Sequence, residues 1–192
     1  MAYRLTRKAL MADLYAAFLC ARRHKAGQPY VRHFEHRLTE NLTTLADTLH
    51  SRTYKPEPST CFIIERPKKR EVFAAQFRDR VVHHLYYNYT HELFERTFIQ
   101  ETYSCIPGRG THYGISRLKG HILQESHNWQ RPCYVLKLDI RGYFMHIDRQ
   151  RLLDIALGSL ERMRGHRIVK GEKETWEDSI DYDFVEWLTR EI

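Results

Sequence analysis

Four short segments of this 192-residue chain place carboxylates, cations and glycines where their types could do chemistry. The first is Tyr134-Val135-Leu136-Lys137-Leu138-Asp139-Ile140-Arg141-Gly142-Tyr143-Phe144. An alternating apolar run that ends on Asp139 reads as a strand with a carboxylate at its C-terminal end, where a sheet opens onto a cleft. A hard ion such as Mg²⁺ seeks one or two such carboxylates together with phosphate oxygens. Gly142 follows, where backbone can approach a ligand closely. Taken alone, Asp139 reads more simply as the start of a turn whose carboxylate caps a local backbone group.

The second segment is Pro67-Lys68-Lys69-Arg70 at the tip of an expected hairpin. Three adjacent cations repel one another unless an anion sits among them, and a triphosphate suits the Lys point charges and the Arg fork. An exposed basic turn guarding sheet edges is the plainer reading. The third is Phe77-Arg78-Asp79-Arg80-Val81-Val82-His83-His84 at a helix start. Asp79 there favours the helix dipole, and Arg78 and Arg80 either hold phosphates or pair with acids such as Glu71. The fourth is Tyr103-Ser104-Cys105-Ile106-Pro107-Gly108-Arg109-Gly110-Thr111, whose glycines flank one cation ahead of a helix N-terminus and suit a phosphate backbone.

Elements must position these groups. Thr6 is predicted to cap a helix running to about residue 24 that buries Leu10, Leu14, Phe18 and Ala21. A second helix is expected to carry Val31, Phe34, Leu38, Leu42, Leu45 and Leu49 as one continuous stripe. Prolines 56 and 58 force the chain out of helix. Two strands follow, near residues 61–65 and 71–74, and then a helix with Phe77, Val81, Leu85 and Tyr89 on one face. Further helices are expected over residues 111–126, after an Asp148 cap, and over residues 179–192. Residues 133–140 give the clearest strand pattern in the chain. Asp181-Tyr182-Asp183 lies in an acidic, helical-looking stretch and reads as surface.

The composition narrows the classes. There are 31 Lys and Arg against 24 Asp and Glu, a net charge of +7. Residues 172–192 alone carry −6, so the rest is a +13 body rich in Tyr and Phe. That balance fits a polyanion partner whose bases can stack on aromatics. The 42% hydrophobic content excludes a wholly disordered chain. No apolar run is long enough to span a bilayer, so no membrane role is expected, and without an export signal the expected location is cytoplasmic. The four cysteines form no C-x-x-C pair and are expected to be reduced thiols. The twelve histidines have no zinc-ligand spacing.

Taken in order, these segments resemble the fingers and first palm motif of bacterial reverse transcriptases, over residues 54–160. Within that family the chain is most similar to the enzymes of diversity-generating retroelements, with retron and group II intron enzymes as relatives. The resemblance implies an α+β, helix-rich fold: an N-terminal helical region (1–53), fingers (54–130) and a partial palm (131–192). The parent function it implies is RNA-directed DNA polymerase activity. The partners would be an RNA template, a DNA primer, dNTPs, two Mg²⁺ ions and an accessory RNA-binding protein. Asp139 matches the first catalytic aspartate and metal ligand, and the Ile140 carbonyl would complete one metal shell. Phe144 matches the ring that excludes a 2′-hydroxyl, with the backbone of Gly142 and Tyr143 along the triphosphate. Lys68 or Lys69, with Arg70, matches the cations closing over the triphosphate. Arg109 matches a loop tracking template backbone, and Arg80 a position serving either structure or template.

The chain also departs from the family pattern. Met145 stands where relatives often have Asp, and Ile106 where many have Arg. The Tyr-x-Asp-Asp hairpin that supplies the second carboxylate pair is absent. One aspartate cannot clamp two divalent ions, so the 192 residues alone are expected to be inactive. An exposed strand edge would also favour self-association. The alternative function is a non-catalytic RNA-binding module derived from such an enzyme.

Overall fold

A computed structural model of the chain describes residues 4–67, 69–166 and 175–192. It is helix-rich with one small two-stranded sheet, an α+β composition. Packing divides the chain into two compact units that do not follow motif order: Met1–His91 with Leu153–Ile192, and Glu92–Leu152.

In the first unit, α1 spans Arg7–Arg22, and its N-cap Thr6 accepts a hydrogen bond from the Ala9 amide at 3.2 Å. Ser, Thr, Asp and Asn at this position satisfy amides that lack an intrahelical acceptor. Leu10, Leu14, Phe18 and Ala21 are all buried, as their spacing predicts. The stripe from Val31 to Leu49 is not one helix but two: α2 (Pro29–His36) and α3 (Leu38–His50). The chain breaks at Arg37, with φ −120° and ψ 36°. There the Asn41 side chain donates to the Phe34 carbonyl at 2.8 Å, replacing the partner lost at the helix end. Both helices keep their apolar faces inward, so a stripe continuous in sequence does not reveal the break.

β1 (Thr60–Ile64) and β2 (Arg70–Ala74) pair antiparallel, with Thr60 opposite Ala74 and Ile64 opposite Arg70. The hairpin leaves Phe62, Ile63 and Phe73 exposed. α4 (Phe77–Glu95) follows and buries Phe77, Val81, Val82 and Leu85. Phe77 stands edge-on to Phe34, with ring centroids 5.3 Å apart, and Phe34 stacks on Phe18 at 5.9 Å, which joins α1, α2 and α4.

The acidic C-terminal stretch departs from its surface reading. After α7 (Trp176–Ser179), Asp181 is buried and caps α8 (Tyr182–Glu191), accepting from the Phe184 amide at 3.0 Å and the Leu5 amide at 2.9 Å. Tyr182, Phe184, Val185 and Leu188 are buried as well. Arg4 pairs with Asp183, and Lys55 with Glu191 at 2.6 Å. Arg52 donates to the Asp183 carbonyl at 2.9 Å and lies 5.0 Å from the ring centroids of Phe184 and Trp187. The acids therefore neutralise part of the basic body instead of facing away from it.

The second unit contains α5 (Thr111–Glu125), a 3₁₀ turn at Tyr143–Met145 and the start of α6 (Arg149–Met163). Asp148 accepts from the Arg151 amide at 3.0 Å, the predicted cap of α6. Residues 133–140 are not a strand. They lie outside any ladder and leave Tyr134, Val135, Leu136 and Leu138 exposed. Alternation shows that a segment can pair, but a strand also needs a hydrogen-bonded neighbour, and among the described residues none lies beside it.

Candidate functional site

Within the second unit, Asp139 stands exposed at the end of the unpaired segment. Its Oδ1 accepts from the Ile140 amide, that of the next residue, at 3.0 Å. Gly142 then adopts φ +62° and ψ 31°. A Cβ on Gly142 would lie 2.8 Å from His146 Nδ1. That nitrogen also lies 2.8 Å from the Gly142 carbonyl oxygen, which accepts from the Met145 amide at 3.0 Å. Glycine suits the left-handed conformation, and any larger residue would also have to displace the exposed His146 ring. Tyr143 and Phe144 follow in the 3₁₀ turn with rings edge to face, centroids 5.2 Å apart, and Phe144 is 85% exposed. A left-handed residue followed by a right-handed one turns successive amides toward one side, a geometry that forms anion-binding concavities.

Arg109 lies in the same unit, in a tight loop where Cys105 and Gly108 have φ of 59° and 75°. Its amide donates to the Ile106 carbonyl at 3.0 Å and its guanidinium to the Gln100 carbonyl at 3.1 Å. Behind the loop, Glu101 bonds both Arg117 and Tyr103, and Arg117 above all, then His121, holds its carboxyl below the usual range.

The remaining predicted cations belong to the first unit. Lys68 lies outside the described residues. Lys69 and Arg70 are exposed at the hairpin end, with Arg70 opposite Ile64. Arg80 reaches back to the Ala75 carbonyl at 2.8 Å and lies over the Tyr30 ring at 4.9 Å, so it fastens the start of α4 to α2. Arg78 pairs with Glu57 and Asp79, each at 3.2 Å, and not with Glu71.

The sequence reading missed one buried node. Asp79 is 1% exposed and accepts from the Tyr54 hydroxyl at 2.8 Å, the Glu57 amide at 2.9 Å and Arg78. It ties the segment entering the hairpin to the helix leaving it. Burial, and then the bond to Asp79, push the Tyr54 hydroxyl well above the usual tyrosine range. A lone Asp in the first turn of a helix looks like a dipole effect. Only the fold brings Tyr54 to it across 25 residues.

Among the described residues no three His, Cys, Asp or Glu side chains converge as a metal site. Asp139 and the Ile140 carbonyl offer one carboxylate and one backbone oxygen, short of what two Mg²⁺ ions require. All four cysteines are free thiols. Among the described residues no helix is long and apolar enough to cross a membrane. In comparisons with known proteins, the sequence matches no family model and no curated protein.

Proposed function

We propose that the chain is the fingers and first palm motif of an RNA-directed DNA polymerase of the bacterial reverse-transcriptase type. The reading rests on the order of four motifs in the sequence. The observation that supports it best is the turn after Asp139. A glycine in the left-handed region keeps the backbone of Gly142 and Tyr143 at the surface beside the exposed Phe144 ring. Backbone amides in such a turn suit the oxygens of a triphosphate. An apolar ring next to them would refuse a sugar hydroxyl by volume and by offering it no hydrogen bond.

In this reading Lys69 and Arg70 neutralise charge on the leaving pyrophosphate. Arg109 contacts template phosphates, and Arg80 holds the base of the fingers through Ala75 and Tyr30. The 192 residues supply a single carboxylate where two metal ions need more, so no metal-dependent step is assigned to this chain and it should polymerise nothing by itself.

The test is primer extension on an RNA template with a longer protein that contains these residues and a Tyr-x-Asp-Asp segment. Asp139→Ala should abolish templated dNTP incorporation, and Phe144→Ala should admit ribonucleotides. Undiminished incorporation by the Asp139 variant would overturn the assignment. Templated incorporation by the 192 residues alone would overturn the statement that they are inactive.

A further inference from the structure

One face of α4 lies outside the apolar core and shares only Arg80 with the groups named in the proposed function. Arg80, His84, Tyr87 and His91 are spaced four, three and four residues apart, so they line one side of the helix. All four are at least partly exposed. Tyr87 and His91 stack with centroids 4.7 Å apart and planes 18° apart, and His91 Nδ1 lies 3.0 Å from the Tyr87 carbonyl oxygen, which fixes the pair. At the other end, the Arg80 guanidinium covers the exposed Tyr30 ring, which is backed by Phe77 at 5.8 Å. Along the same face, burial and then the charge of exposed Lys25 oppose protonation of His84.

The ground around this face is basic. Residues 22–37 hold five Lys or Arg and three His against one acid, Glu35, which Arg22 already binds. No acid occupies the 80, 84, 87 and 91 positions. Along the axis Arg80 and Tyr87 are about 10 Å apart, roughly three stacked-base steps of ~3.4 Å. Two fixed π-surfaces with cations between them are usable only by bases that are not already stacked in a duplex.

We propose that this face, built by Tyr30, Arg80, His84, Tyr87 and His91 with Lys25, binds a single-stranded stretch of nucleic acid. Bases stack on the Tyr87–His91 pair and on the Arg80 plane, and Lys25 meets the phosphates. The inference does not depend on polymerase chemistry, because neither Asp139 nor a nucleotide enters it.

Fluorescence anisotropy tests it, with the full 192-residue chain and labelled oligouridylate and oligothymidylate of about twelve nucleotides. The mixture omits Mg²⁺, primer and dNTPs, so its failure is separable from failure of the polymerase reading. Tyr87→Ala should weaken binding about tenfold, while Tyr87→Phe stays within about twofold. Lys25→Ala should lower the slope of log affinity against log salt by about 0.7. Tyr15→Ala, an exposed ring on α1 in the groove lined by Arg7, Met11 and Leu42, should change nothing. Equal binding by Tyr87→Ala and Tyr87→Phe, an unchanged salt slope for Lys25→Ala, or an equal loss on Tyr15→Ala would overturn the proposal. Tighter binding of a duplex of the same length would also overturn it. Tyr87 and Lys25 lie at the surface, and circular dichroism melts of each variant verify the fold.

Discussion

Asp79→Ala should unfold the first unit far more readily than its single position at a helix start suggests. The wild-type carboxylate is fully enclosed and accepts from Tyr54, Glu57 and Arg78. Removing it leaves the Tyr54 hydroxyl, which has no exposed surface, without its acceptor, at about 1–3 kcal/mol. The Glu57 amide loses its partner too, and Arg78 keeps Glu57, the Lys55 carbonyl at 3.4 Å and its place over the Tyr54 ring, 5.0 Å from the centroid. Together the loss should reach about 3–5 kcal/mol, the usual range when one member of a buried charged network is deleted. For a chain of this size that corresponds to a fall in Tm of about 6–20 °C. Tyr54→Phe removes one donor and leaves Asp79 bound to the others, so it should cost only about 1 kcal/mol. In the double variant no hydroxyl is stranded, and its loss should be smaller than the sum of the singles by about 1–3 kcal/mol. Circular dichroism melts and guanidinium titrations of the four proteins measure this. An Asp79→Ala melt within about 2 °C of wild type, or strict additivity of the two changes, would refute the reasoning.

Three further outcomes follow from the same geometry. Gly142→Ala imposes about 1–2 kcal/mol of left-handed strain and drives a Cβ into His146, so amide exchange at Met145 and His146 should quicken while the global Tm barely moves; Gly142→Asn should be milder. Burial, then Lys25 and His83, lower the His84 pKa, so below about pH 6.5 the unfolded chain binds the extra proton and stability falls as pH drops; His84→Gln should flatten the Tm profile in that window. Arg52→Ala removes a guanidinium lying over two rings of α8 and a bond to the Asp183 carbonyl, and should cost about 1–2 kcal/mol in a denaturant titration, where no measurable loss would show that α8 is held without it.

Most helices were legible because burial follows local spacing: Leu10, Leu14, Phe18 and Ala21 are inside, and Thr6 and Asp148 cap their helices. The hairpin was legible because its strands flank a basic turn that holds Pro67. Three features were not legible, each for a reason outside local pattern. The break at Arg37 depends on Asn41 finding the Phe34 carbonyl. The alternation over residues 133–140 cannot report whether a neighbour exists to pair with it. The burial of Asp181 depends on Leu5, far away in sequence. At the candidate site, residue types and spacing pointed to Asp139 and Gly142, and the family resemblance to Phe144, but the left-handed backbone at Gly142 showed only in the fold. The tie between Arg80 and Tyr30 spans 50 residues and left no mark on either local pattern.

The closure of α8 against the N-terminal segment governs when the first unit can close during synthesis. Arg4 waits 179 residues for Asp183, and Tyr86 waits 103 for Thr189. At translation rates of ~5–20 residues per second, the first of those partners stands alone for about 9–36 s. Throughout that interval Tyr89 of α4 lacks the Phe184 ring that will stand edge-on to it, centroids 6.2 Å apart, and Phe184, Val185 and Leu188 are not yet buried. The nascent chain therefore presents an open apolar seam to chaperones and to other nascent chains, and it seals only when residues 182–191 emerge.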